Sequence, residues 1–131
     1  MRRAAIAALK PPDNISVKSL GFVNNMHEWM AAADLVVTKP GGLTVSEGLA
    51  RGVALVLHSA IPGQEEGNAK FVEKEGAGIR VDSLRQLPGA VLDCLAQPER
   101  LSKLRDQALG VGKPRSAFTV AQAAVASIAA L

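Results

Sequence analysis

Two short, unbroken apolar runs, Leu35-Val36-Val37-Thr38 and Val53–His58, most constrain what this chain can fold into. Neither alternates polar with apolar residues, and both are dominated by Val and Leu. Strands of this kind are buried on both faces, as in a parallel sheet covered by helices on either side. Helical patterns follow them: one from about Leu43 to Arg51, ended by Gly52, and one over Gln64–Glu75, ended by Gly76. Glycine just past a helix C-terminus accepts the left-handed backbone needed there. Ile79-Arg80-Val81 reads as a further short strand. Strand–helix alternation with buried strands predicts an α/β fold, a parallel sheet with helices on both faces.

The flanking segments extend this pattern. Met1–Lys10 reads as a helix stopped by Pro11-Pro12. Ile15–Val23, with alternating Ile15 and Val17 and a Leu20-Gly21-Phe22-Val23 ending, predicts a strand. Asn25 then starts a helix to about Ala33, with Glu28 completing a capping box. Leu87–Ala96, Glu99–Leu109 and Ala117–Leu131 predict three more helices. The 131 residues amount to about one domain. Hydrophobic residues are 48% of the chain, but 22 are Ala and only Phe (3) and Trp (1) are aromatic, so Leu, Val and Ile must build the core. No apolar run approaches membrane-spanning length. The single Cys94 excludes an internal disulfide and a multi-cysteine metal site, and best fits core packing. The net charge of +3 is spread without a basic block, and without aromatic–basic interleaving nucleic acid is not an expected partner.

In open parallel sheets ligands bind where strands run into helices, at the carboxyl edge. Three loops lie there: Gly21–Asn25, Lys39–Thr44 and Ser59–Gln64. In the second, Gly41 and Gly42 let a ligand approach the backbone closely, and the free N–H groups of the following helix favour an anion, naturally a phosphate. A tight turn with glycines for packing explains the pair equally well. The loop is neither a GxxxxGK[ST] nor a GxGxxG motif, so ATP and NAD sites are not supported. Glu47 is either the far half of a Thr44–Glu47 capping box or a carboxylate that accepts from a vicinal diol. Gln64 and Asn68, four apart, share one face of a helical turn and could bond phosphate or sugar oxygens. His27 reads as a surface residue, Trp29 and Met30 as packing residues. His58 ends a strand at the ligand-bearing edge. Neither histidine has metal-ligand spacing to a partner.

Taken in order, Gly21-Phe22-Val23, Asn25–Met30, Ala33–Gly42, Leu43–Glu47 and Pro62–Ala69 resemble the carboxyl-terminal, donor-binding domain of glycosyltransferase family 28, over about Ile15 to Val81. Pro62-Gly63-Gln64-Glu65 favours its diacylglycerol glucosyl- and galactosyltransferases over the N-acetylglucosaminyltransferase that makes lipid II. The resemblance implies a GT-B fold of two facing Rossmann-like domains, with a UDP-sugar held mainly by the second. It implies that Gly21, Phe22 and Val23 receive uracil. Gly41 and Gly42, joined by Leu43 and Thr44, would hold the diphosphate. Glu47 would bind ribose, and Gln64, Glu65 and Asn68 the donor sugar and phosphate.

It further implies inverting hexosyl transfer to a diacylglycerol-type membrane lipid, with UDP-sugar as donor substrate, no cofactor and no metal motif. The general base and the acceptor surface would belong to an amino-terminal domain, so no catalytic residue is expected in residues 1–131. The full-length enzyme would be cytoplasmic and peripheral to the membrane. Alternatives are N-acetylglucosaminyl transfer to a peptidoglycan lipid, and a non-catalytic nucleotide-binding or association module. Against the family pattern, the chain is expected to enter at the helix Met1–Leu9 and to be without the domain's first two strands, which would lie between Ile15–Val23 and Leu35–Thr38. Either those two segments pair directly, or a neighbouring copy completes the sheet.

Overall fold

The computed structural model describes residues 11–129. The predicted helix Met1–Leu9 lies outside them. Three parallel strands form one sheet in the order β1 (Leu35–Thr38), β2 (Ala54–His58), β3 (Gly78–Val81). Leu35 pairs with Ala54 and Leu55 with Gly78, so β2 is hydrogen-bonded along both edges. Helix α1 (Met26–Ala32) precedes the sheet. Helices α2 (Gly42–Ala50) and α3 (Glu66–Lys74) make the two crossovers, and α4 (Leu87–Ala96), α5 (Pro98–Val111) and α6 (Ser116–Ala129) follow.

The alternation of β2 sorts its side chains between two cores. Leu55 and Leu57 pack with Val45 and Leu49 of α2, Ala69 and Val72 of α3, and Ala108 of α5. Ala54 and Val56 pack on the other face with Val81, Cys94 of α4 and Leu104 of α5. Ala54, Leu55, Val56 and Leu57 are at most 1% exposed, as a doubly covered strand must be. Burial pushes the Cys94 thiol above its usual range, so it is a packing group and not a nucleophile. Among the described residues no helix is long and apolar enough to cross a membrane.

Glycines set the close approaches. Gly52 and Gly76 follow α2 and α3 with φ of 63° and 66°, the left-handed conformation predicted for them. Gly78 lies so near the central strand that a Cβ there would stand 2.5 Å from the Leu55 carbonyl oxygen.

Four expectations need correction. Ile15–Val23 forms no strand, because a strand exists only against a neighbouring ladder and among the described residues nothing pairs with it. It runs irregular, with Ile15, Val17, Leu20 and Phe22 exposed. Direct pairing of this segment with β1 therefore does not occur. Asn25 does not cap α1: its side-chain amide donates to the Glu28 carboxylate at 2.8 Å, leaving the backbone N–H groups without a side-chain cap. Met30 is buried as expected, but Trp29 is exposed, with the Lys18 ammonium 5.5 Å from its ring centroid.

Two alanine substitutions should separate on stability. Gly78→Ala forces a methyl against backbone and should cost about 1–3 kcal/mol in denaturant unfolding. Gly89→Ala, on α4 with nothing within 4 Å of the new methyl, should stabilise by about 0.5–1 kcal/mol.

Candidate functional site

The parallel order sends both crossover loops, Lys39–Gly41 after β1 and Ser59–Glu65 after β2, to the carboxyl edge of the sheet. Pro40 is fully buried and anchors the first loop. Gly41 takes the N-cap position of α2 with φ −65° and ψ 139°, and no side chain caps the helix. The first intrahelical bond runs from the Val45 N–H to the Gly41 carbonyl at 2.9 Å. The N–H groups of Gly42, Leu43 and Thr44 precede that bond and are the helix's unfilled donors. With the helix dipole behind them they form a cradle for an anion.

Neither glycine of this turn is demanded by the protein. Both have φ outside the left-handed region, and an added Cβ would meet only ordinary contacts, Glu65 Oε1 at 3.7 Å from Gly41 and Asn68 Nδ2 at 3.8 Å from Gly42. Packing thus gives no reason for two glycines in succession, and without Cβ atoms the turn leaves its backbone open to close approach.

The start of α2 corrects the reading of Glu47. Because Gly41 occupies the N-cap, Thr44 is already inside the helix and Glu47 lies beyond the first turn, so the Thr44–Glu47 capping box does not form. Glu47 is exposed, and its carboxylate has no hydrogen-bond or ion-pair partner among the described residues. It is free for a ligand.

Helix α3 likewise begins later than predicted, at Glu66, after turn residues 62–65. Gln64 therefore precedes the helix and does not share its first turn with Asn68. Glu65 and Asn68 both face the glycine turn, yet each is engaged within the protein. Glu65 Oε2 accepts from the Ile61 N–H at 2.9 Å, which closes the second loop. Asn68 Nδ2 donates to the Pro40 carbonyl at 2.9 Å, a part-buried bond between groups 28 residues apart. That bond ties α3 to the loop that opens α2, and sequence spacing carries no signal of it. Leu43 is 82% exposed beside the cradle. Gly21, Phe22 and Val23 lie on the irregular segment before α1, and Phe22 is fully exposed. No hydrogen bond joins them to the glycine turn among the described residues.

Comparisons with known proteins agree in kind. The profile of the glycosyltransferase family 28 C-terminal domain matches residues 6–123. The chain is 39% identical over 109 residues to a processive diacylglycerol beta-glucosyltransferase of Staphylococcus epidermidis (strain ATCC 12228 / FDA PCI 1200), covering 83% of this chain and 27% of that protein. It is 36% identical over 107 residues to monogalactosyldiacylglycerol synthase 3, chloroplastic, of Arabidopsis thaliana, covering 81% of this chain and 23% of that one. A solved structure described as the glycotransferase of kitacinnamycin superposes with a TM-score of 0.56 at 26% identity, over 84% of this chain and 33% of its own. The chain thus spans about a quarter of the length of the curated relatives it matches.

Removing the tie between α3 and the glycine turn is testable without ligand. Asn68→Ala leaves the part-buried Pro40 carbonyl unpaired and should lower stability by about 1 kcal/mol. Hydrogen exchange should show faster exchange in the first turn of α2 and little change in β2.

Proposed function

We propose that this chain, which belongs to glycosyltransferase family 28 as its C-terminal domain, holds the UDP-sugar donor of an inverting hexosyl transfer to a diacylglycerol-type membrane lipid. The observation that carries the reading is the pair Gly41-Gly42, unneeded by backbone or packing, set before uncapped helix donors. A diphosphate fits there. Glu47 stands free on the same helix to accept from the ribose hydroxyls. Phe22 and its neighbours Gly21 and Val23 offer an apolar and backbone surface for uracil, Phe22 being fully exposed, and the donor sugar is assigned to exposed Gln64 and to Glu65, whose Oε1 lies beside the glycine turn.

In this reaction the acceptor hydroxyl attacks the anomeric carbon as UDP departs from the opposite face. The diphosphate gains negative charge as the glycosidic bond breaks. The N–H groups opening α2 are already aimed where that charge grows, so they stabilise the transition state more than the ground state. The acceptor's proton passes to a base outside this chain, in the remainder of a longer protein. The enzyme would meet its lipid at the membrane surface, as a peripheral protein of the cytoplasmic side. The diacylglycerol-acting relatives support a glycolipid acceptor over a peptidoglycan precursor.

Calorimetric titration of UDP tests the site. UDP should bind well above ADP, and Glu47→Ala, which removes a charge-assisted bond of about 1.5–3 kcal/mol, should weaken UDP about tenfold or more with unchanged unfolding. Gly42→Ala should leave stability unchanged or slightly raised while weakening UDP, since the methyl fits the protein and meets the phosphate. A folded chain that gives no heat with UDP would overturn the donor-site reading. The outer edge of β1 is where a second copy would complete the sheet, and a strictly monomeric mass in light scattering would sink that arrangement.

A further inference from the structure

The polar cavity of about 210 Å³ at the carboxyl ends of β2 and β3, with Pro40, Ser59 and Arg80 in its lining, opens at the same edge of the sheet as the glycine turn. Helix α6 stands apart from that edge's chemistry. Every residue from Lys113 to Ala129 is exposed, and the helix has no buried residue. Phe118, Val120, Val125 and Ile128 are 67–71% exposed. A helix of 14 residues is marginal in water when none of its faces packs, so this one calls for a surface to lie on.

The helix sorts its side chains by chemistry. Phe118, Ala121, Val125 and Ile128 are spaced by three, four and three residues and form one apolar stripe. Ser116, Thr119, Ala123 and Ser127 fall on the opposite side. There the Thr119 hydroxyl donates to the Arg115 carbonyl at 3.3 Å and the Ser127 hydroxyl to the Ala123 carbonyl at 2.9 Å, so both are satisfied within the helix. No residue of Ser116–Ala129 is charged.

Charge collects at the entry instead. Lys113 and Arg115 precede the helix, and no Asp or Glu follows Asp106 in the sequence. Neither cation forms an ion pair among the described residues. A cavity of about 480 Å³ at this joint has Lys113, Arg115 and Val120 in its lining, which sets both cations beside apolar surface.

These features select among occupants. A seam between two copies of the helix would take its register from charges flanking the stripe, and the helix has none. A helix docked in a protein groove ordinarily turns a charged back to water, and here alanines and hydroxyls take that place. Bulky apolar side chains opposite small hydroxyls suit a helix lying in the headgroup layer of a bilayer. Anionic phosphates complement Lys113 and Arg115.

We propose that α6 is an interfacial helix, with Phe118, Val125 and Ile128 at the acyl boundary of a bilayer and Lys113 and Arg115 on the phosphates of its anionic phospholipids. This deepens the proposed function by naming the element that meets the membrane, and it rests on that reading for the lipid as acceptor.

The test is co-sedimentation of the chain with vesicles of phosphatidylcholine alone, or of phosphatidylcholine and phosphatidylglycerol in equal parts. The wild type should bind the mixed vesicles more tightly than the neutral ones, and high salt should erase the difference. Phe118→Ala combined with Ile128→Ala keeps helix propensity and should weaken binding to both about tenfold or more, the scale of burying one large apolar side chain. Lys113→Gln with Arg115→Gln should remove the preference for anionic vesicles. Circular dichroism checks the fold of each variant. Calorimetry with UDP separates the two readings: variants that lose the vesicles and keep UDP leave both standing. If no form binds UDP while vesicle binding still depends on Phe118 and Ile128, the donor-site reading falls and the interfacial helix stands. A folded wild-type chain that leaves vesicles unbound, or variants that bind them equally, refutes the interfacial helix. A dimer in light scattering that Phe118→Ala and Ile128→Ala convert to monomer assigns the stripe to a second copy and overturns it too.

Discussion

Everything described here depends on the parallel pairing of β2 with strands on both sides. A strand hydrogen-bonded along both edges and covered on both faces has no surface left for water, and Ala54–Leu57 show that condition. Parallel pairing has a second effect. Each strand must be reached by a crossover, so β1 and β2 both deliver their exits to one edge. The glycine turn and the loop before α3 are neighbours for that reason. The side chain that bridges them, Asn68, has a short distance to span because the sheet has already brought their loops together.

The central architecture was legible because its signals are local. Unbroken Val and Leu runs state that a strand is buried on both faces, and Gly52 and Gly76 mark helix ends through a backbone conformation other residues avoid. Ile15–Val23 was misread for the complementary reason. Alternation shows that a segment could serve as a strand, but a ladder needs a second strand, and no window of sequence reveals whether one arrives.

The site divides in the same way. Gly41-Gly42 was visible as a turn able to admit an anion, but whether the glycines served packing or a ligand depended on what a Cβ would touch. The Thr44–Glu47 signal suggested a cap because its spacing is right. Gly41 took the N-cap position three residues before Thr44, and Glu47 was left unengaged. Asn68 was read as sharing a helical face with Gln64 and bonding phosphate or sugar oxygens, but its amide donates to the Pro40 carbonyl, far away in sequence. The polar cavity gave fainter signals still. Arg80 was legible only as part of the short strand Ile79-Arg80-Val81, and the left-handed backbone of Ser59 had no sequence mark at all.

Pro40 has a position whose effect reaches beyond its own loop. It is fully buried, it lends its carbonyl to Asn68 directly before the glycine turn, and it also lines the polar cavity. The two recesses therefore share a wall. Any displacement of that wall by an occupant of one recess changes the shape offered to an occupant of the other. By thermodynamic linkage such an influence is mutual: the factor by which the first guest alters the second's affinity is the factor the second returns. Pro40 is thus a common boundary, and a substitution there would alter the shape of both recesses at once.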